Sequence, residues 1–137
     1  MTDVIVIGGG PAGLFSAYNA AVNGNSVVLF EKNDRCGRKL NITGKGRCNV
    51  TNNCNRDEFL ANVIANPKFL MGAISRFSTQ DTMDFFESMG VPLKTERGNR
   101  VFPESDKSVD VLKGLKKFIK EKNVNVRNKN VISIVKE

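Results

Sequence analysis

The sequence predicts an α/β fold with a parallel sheet, and three observations support this prediction. The apolar segment Val4–Ile7 leads into a glycine-rich turn and then into a segment with apolar residues at helical spacing. That segment ends at Asn23-Gly24, which is typical of a helix end, and a second apolar segment, Ser26–Phe30, follows it. Nearly continuous apolar strands indicate a sheet covered on both faces, and alternation with helices indicates parallel pairing.

The turn after the first strand has the spacing G-x-G-x-x-G, formed by Gly8, Gly10 and Gly13. In a nucleotide-binding fold these glycines allow a tight turn, close approach of the backbone to a pyrophosphate, and close packing of helix on strand. The helix begins near Pro11-Ala12 and would present free N–H groups and a partial positive charge to an anion. The alternative is a glycine-rich loop without a ligand. The surrounding strand, helix and second strand favour a Rossmann-like nucleotide site.

An acid closes the second strand. Glu31 lies about twenty residues beyond the glycines, where a carboxylate accepts hydrogen bonds from a ribose and repels a 2′-phosphate. This position favours FAD or NAD over NADP, although the neighbouring Lys32 weakens the exclusion.

The rest of the chain is predicted to add an inserted helical hairpin and further strands. Asn66-Pro67 predicts the start of a helix that runs to about Phe77, and Ser78 with Asp81 predicts a capping box for a helix that ends at Gly90. A β-hairpin is predicted around Gly98-Asn99, and a last helix is predicted from Ser108. The hairpin segments are Val91–Lys94 and Arg100–Phe102, the third parallel strand is Val124–Val126, and a further strand is Val131–Val135.

Length and composition limit the classes of protein to consider. The 137 residues, with a net charge of +7, are predicted to form one cytoplasmic domain, residues 1–137, because no leader and no apolar stretch of about twenty residues is present. With three cysteines and no histidine, we expect reduced thiols, no metal site and no histidine-dependent hydrolysis. The one cationic cluster, residues 35–47, has no aromatic residue for stacking on bases, so we expect no nucleic acid as partner. Because no apolar stretch is long enough to span a bilayer, we expect no membrane as partner.

A second motif follows the acid at the same edge of the predicted sheet. From Cys36 to Asn52 its sequence is CGRKLNITGKGRCNVTN, in which Arg38 can hold phosphate oxygens in a bidentate fork and Lys39 adds a point charge. Together with the glycine turn, this motif resembles the start of flavoproteins of the glutathione-reductase-like superfamily. More narrowly, the chain resembles the bacterial NAD(FAD)-utilising dehydrogenase family, which includes aminoacetone oxidases and some bile-acid reductases. The segment Arg100–Ser105, RVFPES, resembles a further segment of that family.

The resemblance implies that FAD is the cofactor and assigns residues to it. The diphosphate would lie on residues 10–13 with Arg38 and Lys39 beside it, Glu31 would hold the adenosine ribose, and the Val131 backbone would meet the adenine. Lys45 stands where much of the family has glycine. Thr43, Gly44 and Asn49 would lie nearer the ribityl chain and flavin ring. The complete set of expected cofactor-binding residues is Gly8, Gly10, Pro11, Ala12, Gly13, Glu31, Lys32, Arg38, Lys39, Thr43, Gly44, Asn49 and Val131.

The resemblance also implies a function. The chain is expected to be the N-terminal part of an FAD/NAD(P)-binding domain in an FAD-dependent oxidoreductase that acts on a small organic substrate, with NAD(P)H as a candidate electron donor. Members of the family are roughly three times as long as one such domain portion, so this part is expected to be inactive alone, and no catalytic residue is identified. The alternatives are an inactive nucleotide-binding fragment, an NAD-binding dehydrogenase module and a basic RNA-binding protein.

Overall fold

The computed structural model describes residues 1–135 and contains two compact units. The first unit comprises Met1–Asn41 and the chain from Leu112 onwards, and the second comprises Ile42–Val111. In chain order the elements are β1 (Val4–Ile7), α1 (Pro11–Val22), β2 (Val27–Glu31), β3 (Thr51–Asn52), α2 (Arg56–Ala61), α3 (Pro67–Arg76), α4 (Thr79–Ser88), β4 (Leu93–Glu96), β5 (Arg100–Pro103), α5 (Ser108–Glu121) and β6 (Asn125–Asn128).

The first unit contains a three-stranded parallel sheet. β1 and β6 each pair in parallel with β2, so the strand order is β1-β2-β6. Leu14 of α1 and Leu29 of β2 are completely buried, and burying a side chain of this kind stabilises a fold by about 1.5–3 kcal/mol. The rings of Tyr18 and Phe118 lie 5.0 Å apart between centroids, so α1 also contacts α5. Because the strands are parallel, their carboxyl ends share one edge of the sheet, which is where such folds bind ligands.

The second unit contains an antiparallel sheet in the order β3-β5-β4. The turn between β4 and β5 uses Gly98 and Asn99, both at positive φ, as a tight hairpin turn requires. α4 packs against β3 and β4, whereas α3 packs against α2. Capping boxes at Asn55 with Glu58 and at Ser78 with Asp81 fix the first turns of α2 and α4.

Most predicted elements are confirmed, with small shifts at their ends. The first strand, first helix and acid-bearing strand are present, as are both helices of the insertion, the β-hairpin, the last helix and the third parallel strand. The inserted part is larger than the predicted helical hairpin, because it also contains β3 and the short helix α2. The assignment of residues 1–137 to one domain stays a prediction.

One predicted element is absent. Residues 131–135 form no strand, and the side chains of Ile132 and Ile134 are 89% and 82% exposed. An apolar run becomes a strand only where a neighbouring strand satisfies its backbone groups, and no strand within residues 1–135 pairs with this segment. The predicted start of α3 at Asn66-Pro67 is confirmed, and Asn66 takes the N-cap position with a left-handed backbone, φ of 56°, and without a side-chain capping hydrogen bond.

Across residues 1–135, every helix is too short or too polar to span a lipid bilayer.

Candidate functional site

The glycine turn joins β1 to α1 at the carboxyl edge of the parallel sheet. Gly8 has φ of +100°, and its N–H donates to the Phe30 carbonyl at 2.8 Å, which ties the turn to β2. A Cβ atom at Gly13 would lie 1.8 Å from the Gly8 carbonyl oxygen. This contact is shorter than any real contact of a Cβ atom, so only glycine lets α1 pack this closely on β1.

The N-terminus of α1 is free to meet a ligand. Gly10 is the residue before the first helical turn, it provides no side-chain cap, and the first turn contains no acid. A Cβ atom placed on Gly10 would find no atom within 4 Å, so the space over its backbone is open. Pro11 occupies the first helical position, where its missing N–H costs nothing. An uncapped helix end with open space in front of it fits the diphosphate of a dinucleotide.

Glu31 is buried at the end of β2, with only 8% of its surface exposed. Its Oε2 accepts the Gly9 N–H at 2.6 Å, and its Oε1 accepts the Asn33 N–H at 2.8 Å together with the Asn33 side-chain amide. The Asn33 backbone hydrogen bond, with those from Gly9 and the Asn33 amide, lowers the pKa of Glu31 although burial opposes the shift. The group is therefore an ionised acceptor at neutral pH. Oε2 keeps one acceptor position, which suits a ribose hydroxyl.

The Glu31→Ala variant is expected to lose both stability and cofactor affinity. The Gly9 and Asn33 N–H groups would lose their acceptor, and each buried unsatisfied donor costs about 1–3 kcal/mol. We expect FAD binding to weaken by a similar free energy. Urea denaturation of the free protein measures the loss of stability, and FAD titration measures the loss of affinity. The control Glu121→Ala removes an exposed acid whose contact with Lys117 is 3.8 Å long, and it should change neither quantity. Equal behaviour of the two variants would contradict the role of Glu31.

A cleft of about 260 Å³ lies beside this carboxylate, at the carboxyl ends of β1 and β2. Gly8, Glu31, Lys32 and Val131 all contribute to its lining. The cleft therefore brings together four residues that the sequence assigned to the cofactor. Lys32 is exposed at the rim, where its charge faces the same space as the carboxylate.

The arginine-lysine loop, residues 36–39, is attached to the glycine turn. The Gly37 N–H donates to the Gly9 carbonyl at 2.8 Å, and the Cys36 sulfur packs so closely on Gly9 that a Cβ atom there would lie 2.5 Å from it. Arg38 donates to the Asn33 side-chain oxygen at 3.2 Å and lies 3.9 Å from the Asp34 carboxylate, while Lys39 is exposed. The arginine-lysine loop and the glycine turn thus lie side by side in the first unit.

Two contributors to this edge were missed from the sequence. Gly9 is a variable position in the spacing G-x-G-x-x-G, yet its N–H donates to Glu31 and its carbonyl accepts from Gly37. Asn33 supplies two of the three hydrogen bonds to the Glu31 carboxylate. The available signal was an amide side chain two residues after the acid, since asparagine readily bonds to neighbouring groups in turns.

Thr43, Gly44 and Asn49 lie in the second unit. The Asn49 side-chain amide donates to the Thr51 carbonyl at 2.7 Å and to the Val101 carbonyl at 3.0 Å, so it fixes the loop to β5. The Thr43 carbonyl accepts the Cys48 N–H at 3.1 Å, and Gly44 packs close to the Phe102 ring. A cofactor role for these three residues stays a prediction.

Residues 44–46 all have left-handed backbones, with φ of 54° at Gly44, 57° at Lys45 and 85° at Gly46. This explains why glycine is expected at the position of Lys45. An L-residue in the left-handed region costs roughly 1–2 kcal/mol, and glycine avoids that cost. Lys45 therefore introduces local backbone strain but does not prevent the turn at residues 44–46 from forming.

The Lys45→Gly variant is expected to be more stable than the natural chain by about 1 kcal/mol, because glycine adopts this backbone without the steric cost. Urea denaturation measures the gain. Lys45→Ala removes the same charge but keeps a Cβ atom, and its stability should stay near that of the natural chain. A gain of the same size in both variants would mean that the charge, and not the backbone, is responsible.

Arg47, from the same motif, binds carboxylates of its own unit. Its Nε donates to Asp106 at 2.8 Å, a second guanidinium nitrogen bonds to Glu96, and its Cζ lies 4.2 Å from the Phe102 ring centroid. Lys94 joins this charge cluster through Asp106 at 2.6 Å. Arg47 thus fixes the left-handed loop to β4 and β5, which leaves Arg38 and Lys39 as the motif's cations at the parallel sheet.

The charge cluster predicts a defined acid sensitivity. Bonds from Arg47 lower the pKa of Glu96 below its ordinary 4.5, and bonds from Lys94 and then Arg47 lower the pKa of Asp106 below 3.8. Because folding lowers both pKa values, the stabilisation is complete above the ordinary values and is lost as pH falls through the folded ones. Thermal midpoints from neutral pH downwards should therefore fall more steeply in the natural chain than in Glu96→Gln/Asp106→Asn. Parallel curves would contradict the cluster's contribution.

Two of the three cysteines are buried. Burial raises the pKa of the Cys36 and Cys48 thiols, and both side chains are 6% exposed. Cys54 is partly exposed, and burial also raises the pKa of its thiol. Of the side chains described, no three from histidine, cysteine, aspartate and glutamate lie close enough together to hold a metal ion.

Comparison with known proteins extends this description. The chain matches the family model described as HI0933-like protein Rossmann domain over residues 2–137. It is 31% identical over 133 residues to the 3-dehydro-bile acid delta(4,6)-reductase of Clostridium scindens, covering 92% of this chain and 31% of that protein. It is also 31% identical over 136 residues to the ribosomal RNA dihydrouridine synthase of Escherichia coli, covering 98% and 33% respectively. The chain thus spans about a third of the length of these curated relatives.

Solved structures agree on the fold. The 3-ketosteroid-delta4-(5alpha)-dehydrogenase of Rhodococcus jostii RHA1 has a TM-score of 0.67 at 14% identity, covering 91% of this chain and 37% of that chain. THI4 of Thermovibrio ammonificans has a TM-score of 0.60 at 18% identity, covering 92% and 38%. At these identities the likeness supports the fold and not a shared reaction.

Proposed function

This chain belongs to the HI0933-like protein family, as its Rossmann domain, and from that premise we propose its function. It is an FAD-binding Rossmann domain with flavoprotein oxidoreductases among its homologues. We infer that it holds the cofactor in an FAD-dependent oxidoreductase of the aminoacetone-oxidase-like group that it resembles. The chain spans about a third of the length of these curated relatives, so the activity of the whole protein is part of our proposal.

One observation carries the proposal, namely that the open N-terminus of α1 and the ionised Glu31 meet at a single glycine turn. In this assignment the diphosphate lies on Gly10, Pro11, Ala12 and Gly13, where the helix end offers N–H groups and positive charge. Glu31 accepts hydrogen bonds from the ribose with its remaining acceptor position. The adenosine is proposed to lie in the adjoining cleft, because that cleft is lined by three further assigned residues, Gly8, Lys32 and Val131.

The remaining assigned residues complete the proposal. Arg38 and Lys39 neutralise the outer side of the diphosphate, and the bond between Gly37 and Gly9 supports this because it keeps their loop beside the turn. Thr43, Gly44 and Asn49 are proposed to lie towards the flavin. The flavin, when bound, exchanges electrons with the substrate, while the residues of this chain bind and orient it. We propose a small organic substrate with NAD(P)H as electron donor, consistent with the reductase among the relatives.

A second candidate substrate is RNA. The relative from Escherichia coli is named as a ribosomal RNA dihydrouridine synthase. In this chain, Arg35, Lys116 and Lys120 line one cleft of the first unit, and within residues 1–135 none of them pairs with a carboxylate. The same flavin chemistry would apply to either substrate. The competing assignments are an NAD-binding module and an inactive nucleotide half-site.

Ligand titration tests the proposal. The 137-residue chain is titrated separately with FAD, NAD, NADP and ADP, and flavin fluorescence and visible absorbance are followed for FAD. We expect FAD to bind most tightly, with a perturbed flavin spectrum, and NADP to bind most weakly because Glu31 is ionised. Equal affinity for ADP and FAD with an unperturbed flavin would favour the half-site, and preference for NAD would favour the dehydrogenase module.

A further inference from the structure

A second cleft, of about 620 Å³, lies in the first unit between the start of the arginine-lysine loop and the last turns of α5. Three cations line it, together with an apolar surface that includes Ile119 and Val124. Arg35 immediately precedes the arginine-lysine loop, and Lys116 and Lys120 come from α5. None of its lining residues belongs to the cleft beside Glu31. It is therefore separate from the space assigned to the cofactor.

In the part of the chain that the structure describes, the cations of this cleft have no acidic partner. Within residues 1–135, Arg35, Lys116 and Lys120 form no ion pair, whereas Arg38 and Lys117 of the same unit lie 3.9 Å and 3.8 Å from carboxylates. The one acid in the lining, Asp34, is the residue that lies near Arg38. Among the described residues, the lining thus holds three cations and one acid, which gives the cleft a net positive charge. Clustering like charges destabilises the chain unless an anion is bound there.

We propose that this cationic cleft binds the phosphate backbone of structured RNA. This inference rests on the proposed function, because it assigns a binding surface to RNA, the second candidate substrate. Arg35 and Lys120 are exposed and Lys116 is half-buried, which suits contacts to phosphates that are spread along a strand. A site for one small anion would instead use buried, fixed donors, and the described lining of this cleft contains none.

The chemistry of the lining favours double-stranded RNA over single strands. Single strands are held by bases stacked on aromatic rings, and the lining that the structure describes contains no aromatic side chain. Double-stranded RNA is recognised largely through its shape, its 2′-hydroxyls and its phosphates, and the cations of this cleft can supply the phosphate contacts. This inference differs from the expectation of no nucleic acid. The sequence separates Arg35 from the two lysines, and only the fold gathers them into one cleft.

The test uses the complete chain and an RNA hairpin with a stem of about 20 base pairs, long enough for a double-strand binder. Affinity is measured by fluorescence anisotropy over a range of salt concentrations. The variant Arg35→Gln/Lys116→Gln/Lys120→Gln removes the cationic cleft. The control Lys68→Gln/Arg76→Gln/Lys107→Gln removes the same number and types of charge at exposed positions of the second unit. Circular dichroism and FAD titration on each variant check folding and cofactor binding.

We expect the cleft variant to lose about 100-fold in RNA affinity at low salt and its salt slope to fall by about 3, as for the loss of three phosphate contacts. The control should stay close to the natural chain, and both variants should keep their FAD affinity. Absence of RNA binding, an equal loss in both variants, or binding to phosphatidylserine vesicles in place of RNA would overturn the proposal. Failure of FAD binding with RNA binding intact would instead count against the cofactor assignment.

Discussion

Replacing Gly13 by alanine is expected to destabilise the first unit by about 3 kcal/mol or more, the largest effect we predict for a single added methyl group. The new Cβ atom would lie 1.8 Å from the Gly8 carbonyl oxygen, so α1 and β1 would have to separate. That movement would also pull the helix N-terminus away from the turn that receives the diphosphate. Urea denaturation of the free protein gives the loss of stability directly.

A matched glycine in another helix provides the control. Gly72 lies inside α3, and a Cβ atom there would meet nothing within 4 Å. Gly72→Ala should therefore stabilise the protein by about 0.5–1 kcal/mol, because alanine is the better helix former. If Gly13→Ala unfolded at the same urea concentration as Gly72→Ala, the close packing of α1 on β1 would not be a constraint.

Replacing Gly10 by valine should have the opposite profile, with a folded protein that no longer holds its cofactor. Gly10 has φ of −75° and ψ of 179°, an extended backbone that valine adopts readily, and the space around its Cβ position is empty. We expect only a modest loss of stability, about 1 kcal/mol, because Gly10 is the N-cap of α1 and valine is a poorer N-cap than glycine. The valine side chain would occupy the surface assigned to the diphosphate, so FAD affinity should fall at least about 100-fold, equivalent to about 2.7 kcal/mol.

The choice of ligand sharpens this second prediction. ADP contains the same diphosphate as FAD and should lose affinity for Gly10→Val by a similar factor, whereas adenosine lacks the diphosphate and should bind as before. Titrations of all three ligands to both proteins measure these differences. Retained FAD affinity in Gly10→Val would place the diphosphate elsewhere on the molecule.

The fold was predictable wherever a local pattern and a neighbouring strand agreed. β1, α1 and β2 follow from apolar runs and glycine signals, and the β4–β5 hairpin follows from Gly98-Asn99. β3 was not predicted because a strand of two residues has no pattern of its own and exists only through its pairing with β5. The opposite error at residues 131–135 has the same origin, an apolar alternation without a partner strand.

For the candidate site, the sequence assigned residues whose roles toward a ligand stay predictions, and it gave little about the bonds that connect them. Spacing alone selected Gly8, Gly10, Gly13 and Glu31, because each is expected to have a geometric role fixed by its distance from the strand. The bonds of Gly9 to Glu31 and Gly37 use backbone atoms, which every residue has, so residue type carries no signal for them. The pairing of Arg47 with Glu96 and Asp106 joins residues far apart in the chain. The sequence therefore grouped Arg47 with Arg38 although their surroundings differ.

Glu31 acts through its main chain as well as through its carboxylate. Its carbonyl oxygen accepts the Lys129 N–H and the Asn128 side-chain amide, each at 3.1 Å. The segment leading to Val131 is thus anchored to the residue proposed to hold the sugar. These two hydrogen bonds use the main chain of Glu31, so the substitution Glu31→Ala leaves their acceptor in place. In the proposed assignment, the carboxylate of Glu31 holds the sugar while its carbonyl holds the chain that leads to the base, so the two tasks fall to different atoms of one residue.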